Sequence, residues 1–110
     1  MSWYVEDRIK EILLKLVSIP SISETEGEVV IEEEIYDLLN QITYFQQHPE
    51  YLNRHAIEND KYGRCVISAF VRGQGDSTVI VFGHHDIVDF DGYWEYKDFA
   101  LNPEELTKNA

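Results

Sequence analysis

Two imidazoles and a carboxylate stand together at His84-His85-Asp86, directly after the apolar run Val79-Ile80-Val81-Phe82 and Gly83. A run that is β-branched or aromatic throughout reads as a strand buried on both faces. Polar residues just past the C-terminal end of such a strand sit where α/β sheets build their sites. Side chains of an extended chain alternate, so His84 and Asp86 point the same way and His85 points the other. In that arrangement His84 can face a metal ion, while Asp86 fixes the ring or joins the inner sphere. The same triplet also fits three hydrogen-bonded polar residues at a strand end, with no ligand at all.

The elements that position this triplet follow from periodicity and punctuation. Residues Trp3 to Val17 read as an amphipathic helix, because Val5, Ile9, Ile12, Leu13, Leu16 and Val17 recur at spacings of three and four. Glu11 and Lys15 form an i,i+4 pair on it. Pro20 stops it. Ser23 with Glu26, or Thr25 with Glu28, gives a capping box for a second helix that runs to Asn40. Ile31, Ile35, Leu38 and Leu39 form its apolar face, and Glu32, Glu33, Glu34 and Asp37 read as a solvated face.

Ile42 to Gln46 reads as a strand, with Tyr44 and Phe45 giving β character. His48 to His55 is a polar, proline-marked connection whose two histidines read as surface residues. Asn59 to Gly63 carries turn chemistry. Arg64 to Arg72 alternates as a strand, and Gly73-Gln74-Gly75-Asp76 is a tight turn that folds it back antiparallel onto Thr78–Phe82. Phe90 to Leu101 is aromatic and acidic without period, and reads as a loop covering or lining the site. Asp89 and Asp91 read as turn formers, not ligands. Asn102 and Pro103 start a final helix as N-cap and first residue. The fold class is therefore α/β: two N-terminal helices packed on a small mixed sheet with an antiparallel hairpin.

Composition bounds the functions. With 110 residues the chain is one small domain at most, and its 44% hydrophobic content suffices for a modest core. The formal charge of −12, from 21 acids against 9 bases, argues against nucleic acid and anionic membrane as partners. The lone Cys65 cannot form an internal disulfide, reads as a small buried hydrophobe, and fits a cytoplasmic setting. The start, Met1 to Asp7, lacks the charged and apolar regions of a signal peptide, and no apolar run reaches membrane-spanning length.

Leu16-Val17-Ser18-Ile19-Pro20-Ser21-Ile22-Ser23 with Glu26-Gly27-Glu28, then a hairpin, then Gly83-His84-His85-Asp86-Ile87-Val88, occur in one order. This order resembles the N-terminal part of the catalytic domain of the M20 family of zinc metallopeptidases and deacylases. The match to that family's Gly-His-x-Asp-x-Val motif is Gly83, His84, Asp86 and Val88. The tail Phe99 to Leu106 is similar to the arginine-utilisation (RocB-like) branch. The resemblance implies that residues 1–110 are the N-terminal portion of one catalytic domain of zinc-peptidase (phosphorylase/hydrolase-like) α/β fold. It implies that His84 is a zinc ligand and Asp86 the catalytic carboxylate that orients it. It implies one or two zinc ions in the complete enzyme, with cobalt or manganese as alternatives, and a peptide or N-acyl amino acid substrate. The metal polarises an amide carbonyl and supplies hydroxide, and a separate glutamate is the general base.

The family's later Gly-Arg-Gly-x-x-Asp segment and Glu-Glu pair do not occur before Ala110. A catalytic zinc needs about three protein ligands, so the 110 residues alone are expected to hydrolyse nothing. They are also expected to expose sheet edges and apolar faces through which the chain forms homo-oligomers or other associations. Two other classes stay open: a small acidic binding or interaction domain in which His84 and Asp86 are structural, and a metal-binding protein completed by oligomerisation.

Overall fold

The computed structural model describes residues 5–109. Its elements in chain order are α1 (Val5–Val17), α2 (Gly27–Asn40), α3 (Thr43–Gln47), β1 (Leu52–Ala56), β2 (Cys65–Ala69) and α4 (Pro103–Asn109). Short 3-10 turns occupy Pro49–Tyr51 and Asp91–Phe99. The architecture is a small α/β domain: β1 and β2 form a two-stranded antiparallel sheet, α2 packs on β2, and α1 packs on α2.

The long helices start and stop where the sequence punctuates them. Trp3 and Tyr4, the first residues of the expected N-terminal helix, lie outside the described residues. Helix α1 ends before Pro20, with Ser18 N–H donating to Leu14 O at 3.1 Å and Ile19 N–H to Leu16 O at 3.2 Å. The expected Glu11–Lys15 pair does not form. Glu11 takes Arg8 at 2.9 Å, and Lys15 reaches across to Glu34 of α2 at 2.7 Å, tying the two helices together. At the start of α2 the Glu28 carboxylate accepts the Glu24 N–H at 2.7 Å, and Thr25 Oγ1 accepts the Gly27 N–H at 3.3 Å. Neither expected capping box forms: Glu26 is the N-cap of α2 and makes no side-chain cap bond, and Glu28 and Thr25 bond the neighbouring N–H groups instead. Gly27 is needed because any Cβ there would collide with the Pro20 carbonyl.

Residues 42–46 are a correction. Ile42 alone is extended, and Thr43–Gln47 forms α3. Tertiary packing overrides the β propensity of Tyr44 and Phe45. The helical spacing lets Tyr44 and His48 pack at a ring separation of 4.8 Å, and Tyr51 then packs edge-on to Phe70 at 5.2 Å. Phe45 is turned into the small core with Ile31 and Leu52.

The hairpin is the second correction. Leu52 to His55, read as part of a polar connection, form β1 together with Ala56, and β2 pairs with β1 in the register Leu52↔Ala69 to Ala56↔Cys65. The turn between them is held by the Asp60 side chain, which accepts the N–H groups of Tyr62 (3.1 Å) and Arg64 (2.9 Å). Its guanidinium partner Arg64 also bonds Glu28 of α2 at 2.9 Å. The expected pairing of Arg64–Arg72 with Thr78–Phe82 is absent. Residues Val79, Ile80, Val81 and Phe82 lie outside any strand and are 80–92% exposed. β2 takes β1 as its partner although residues 57–64 make a longer loop than 73–77, because the Asp60 side chain ties that loop together. The Phe90–Leu101 stretch, read as a loop, contains 3-10 turns with a break at Trp94, whose φ is +50°.

Candidate functional site

The His84–Asp86 segment is held against the chain just before α2. Ile87 N–H donates to Ser21 O and Ser23 N–H donates to Ile87 O, both at 2.9 Å, making a parallel bridge between Ile22 and Ile87. Ser21 is 1% exposed, and its hydroxyl donates to the His85 carbonyl at 2.8 Å. Pro20 stops α1 just ahead of this segment, and its ring biases Ile19 before it toward extended backbone.

On this frame the two residues singled out in the sequence come together. His84 Nδ1 lies 2.8 Å from Asp86 Oδ1 and 3.1 Å from the Asp86 carbonyl oxygen. The other carboxylate oxygen, Oδ2, accepts the Ser23 hydroxyl at 2.6 Å. Asp86 is consequently held below the ordinary carboxylate range, first by the Ser23 hydrogen bond and then by His84. The His84 ring is exposed. With Nδ1 facing Asp86, its Nε2 faces away from that carboxylate. Ser21, Ser23, His84, Asp86, Phe90 and Tyr93 line one open pocket.

His85, which lies outside any strand, turns toward Glu32 of α2. Its Nε2 lies 3.8 Å from Glu32 Oε1, and its Nδ1 is buried with no hydrogen-bond partner. Glu32 is a further correction: it is 4% exposed and does not belong to the solvated face of α2. Its Oε2 accepts the Cys65 N–H at 3.1 Å and lies 3.4 Å from Cys65 Sγ. Cys65 is half-buried, and its thiol pKa is raised, first by burial and then by the Glu32 carboxylate.

The remaining candidates stay apart. Asp89 Oδ1 accepts the Asp91 N–H at 3.1 Å, the geometry of a turn former. His48 stacks among tyrosines, and His55 Nε2 bonds Ser68 Oγ at 2.6 Å across the hairpin. Sequence reasoning missed Ser21, Ser23 and Glu32 as partners of the triplet. Ser23 had a visible role as a cap, and nothing in the sequence marks a contact with residues more than fifty positions away.

Among the described residues, no group of three His, Cys, Asp or Glu side chains is arranged to hold a metal ion. His84 with Asp86 supplies one imidazole donor and its orienting carboxylate, which is part of a zinc set and not the whole of one.

No family model matches the chain, and no solved structure matches it. It is 35% identical over 107 residues to the uncharacterized protein YqjN of Bacillus subtilis (strain 168), an alignment that covers 96% of this chain and 19% of YqjN. It is 35% identical over 104 residues to the protein RocB of the same organism, covering 93% of this chain and 18% of RocB. The chain is thus similar over nearly its whole length to about a fifth of each of these two larger proteins.

Proposed function

We propose that this chain carries one metal-donor arm of a zinc-dependent amide hydrolase of the M20 type, in its arginine-utilisation branch. In this reading residues 1–110 are the N-terminal part of a catalytic domain working in the cytoplasm on a peptide or N-acyl amino acid. The observation that carries it is the His84–Asp86 pair: Asp86 Oδ1 at 2.8 Å from Nδ1 turns Nε2 away as the free donor atom. Support comes from the motif Gly83, His84, Asp86 and Val88 and from similarity to one segment of much longer proteins. The remaining ligands and the general base belong to the rest of such a protein. A bound zinc ion, or cobalt or manganese in its place, would supply the Lewis acid and lower the pKa of a bound water. The chain's own share is to present Nε2 and hold the ring still.

The test uses the polypeptide containing this segment, purified as its native source makes it. Metal content and hydrolysis of N-acyl amino acids and dipeptides are measured for the native protein and for His84→Ala. The reading requires a bound metal that falls to background in His84→Ala, together with loss of hydrolysis. Hydrolysis that survives the substitution, or a native protein with neither metal nor activity, overturns it. A second reading, a non-catalytic interaction module, is favoured by the uncovered apolar run Val79–Phe82. It gains if the native polypeptide has neither metal nor activity.

A further inference from the structure

The serine that precedes α2 has a place in the site that its role as a loop residue does not explain. Ser23 Oγ lies 2.6 Å from Asp86 Oδ2, and the opposite oxygen of the same carboxylate lies 2.8 Å from His84 Nδ1. The same hydroxyl is 3.2 Å from the Ile87 carbonyl, so its single proton goes mainly to the shorter, charged acceptor. Ser23 itself cannot drift, because its N–H is bonded to Ile87 O and Ser21 O receives the Ile87 N–H. A partly exposed carboxylate tied at one oxygen only is free to turn toward water. Tied at both, it keeps Oδ1 on the ring.

We propose that Ser23 is a positioning residue for His84: its hydroxyl fixes the Asp86 carboxylate, and the carboxylate holds the imidazole with its proton on Nδ1 and its free electron pair on Nε2. An acceptor at one ring nitrogen sets the tautomer and so decides which nitrogen can donate to a ligand. The consequence for metal binding rests on the function proposed above; the tautomer itself does not.

The experiment reads the ring directly, without metal. Long-range proton–nitrogen NMR correlations of His84 are recorded on the 110-residue chain at about pH 9, above the ordinary imidazole range. The native chain, Ser23→Ala and Ser23→Thr are compared. The native chain and Ser23→Thr, which keeps the hydroxyl, are expected to show mostly the Nδ1–H form. Ser23→Ala is expected to change the tautomer ratio several-fold toward Nε2–H, with the Ile87 amide still protected. An unchanged ratio in Ser23→Ala overturns the proposal. So does a native ring already in the Nε2–H form, or a Ser23→Thr chain that behaves like Ser23→Ala.

Ser23 is exposed and its substitution spares both backbone bonds to Ile87. Should Ser23→Ala unfold, Ser23→Cys, a weaker donor of similar size, takes its place: a shift toward Nε2–H supports the proposal and an unchanged ratio overturns it. In the longer native polypeptide, Ser23→Ala should also weaken zinc binding about 10- to 100-fold if His84 is a donor. Zinc content unaffected by His84→Ala would sink the metal reading and leave the tautomer result to stand by itself.

Discussion

The carboxylate of Glu32, in the middle of α2, accepts the backbone N–H of Cys65 at 3.1 Å, at the first residue of β2. The ladder bonds of the hairpin run through Ile57–Arg64 and Tyr51–Phe70. Antiparallel alternation then leaves the Cys65 N–H on the outer side of the sheet, where no strand meets it. A helix side chain has taken over part of a strand edge.

Glu32 should therefore matter more to stability than a surface glutamate would. Glu32→Ala leaves the Cys65 N–H without its acceptor and is expected to cost about 1–3 kcal/mol. Glu32→Gln keeps an acceptor oxygen and should cost less. Urea unfolding followed by circular dichroism decides the order. Equal stability of the alanine variant and the native chain would show that water replaces the carboxylate at no cost.

The same contact sets the behaviour of the thiol. Burial and the neighbouring carboxylate both favour neutral Cys65, so its pKa lies above that of a free thiol. Alkylation of the folded chain should be slow at neutral pH and should rise only at a pH higher than that needed for glutathione. In Glu32→Gln the apparent pKa should drop, yet stay above the free value because the burial remains. A thiol that titrates like glutathione in the native chain contradicts this.

How much of this arrangement was legible beforehand follows from the range over which each signal acts. The ends of α1 and α4 could be read because Pro20, Asn102 and Pro103 act within a turn of themselves; Asn102 Oδ1 does accept the Glu105 N–H at 3.2 Å. His84 and Asp86 could be paired because period-two alternation is local. Glu32 could not be placed, since a helix with apolar residues at 31, 35, 38 and 39 looks complete without it. The pairing of β2 failed for a related reason. Asn59–Gly63 and the glycines at 73 and 75 both advertise a turn, but only the first closes a hairpin, and the Asp60–Arg64 side-chain contacts that hold it are not visible in turn composition.

Gly27 tests the seam between α1 and α2. A methyl group there meets the Pro20 carbonyl, a backbone atom that cannot swing aside as a side chain would. Gly27→Ala is expected to destabilise the chain by about 1–3 kcal/mol, as overpacking usually does. The result runs against intrinsic helix propensity, which favours alanine by about 1 kcal/mol. A melting temperature equal to or above the native one would mean that Pro20 and α2 separate easily.

The response to acid follows from two aspartates. Asp60 is held well below the ordinary carboxylate range by hydrogen bonds from Arg64, and Asp86 is lowered first by Ser23 and then by His84. Both titrate lower when folded than when unfolded. Their stabilisation is complete above the unfolded value of about 4 and is lost as pH falls through the folded values. Thermal melts should hold steady from neutral pH down to about 5 and fall below about 4. Asp60→Asn should lower the neutral-pH melting temperature and flatten the acid slope. A variant with the native slope would assign the loss to other carboxylates.

The run Val79-Ile80-Val81-Phe82 puts four large apolar side chains in water. Each carries β propensity, and an uncovered β-prone run with unpaired backbone groups is a template for pairing with another chain. The chain's charge of −12 opposes that association at low salt, and salt screens the repulsion. Self-association should thus increase with protein concentration and with ionic strength. Val81→Lys puts a charge in the middle of the run and should reduce association strongly, whereas Glu33→Lys on the exposed side of α2 also makes the net charge less negative and should not reduce it. Sedimentation velocity at low and high salt separates the cases. A native chain that stays monomeric at high concentration and high salt would mean that the segment is shielded in solution by contacts of its own.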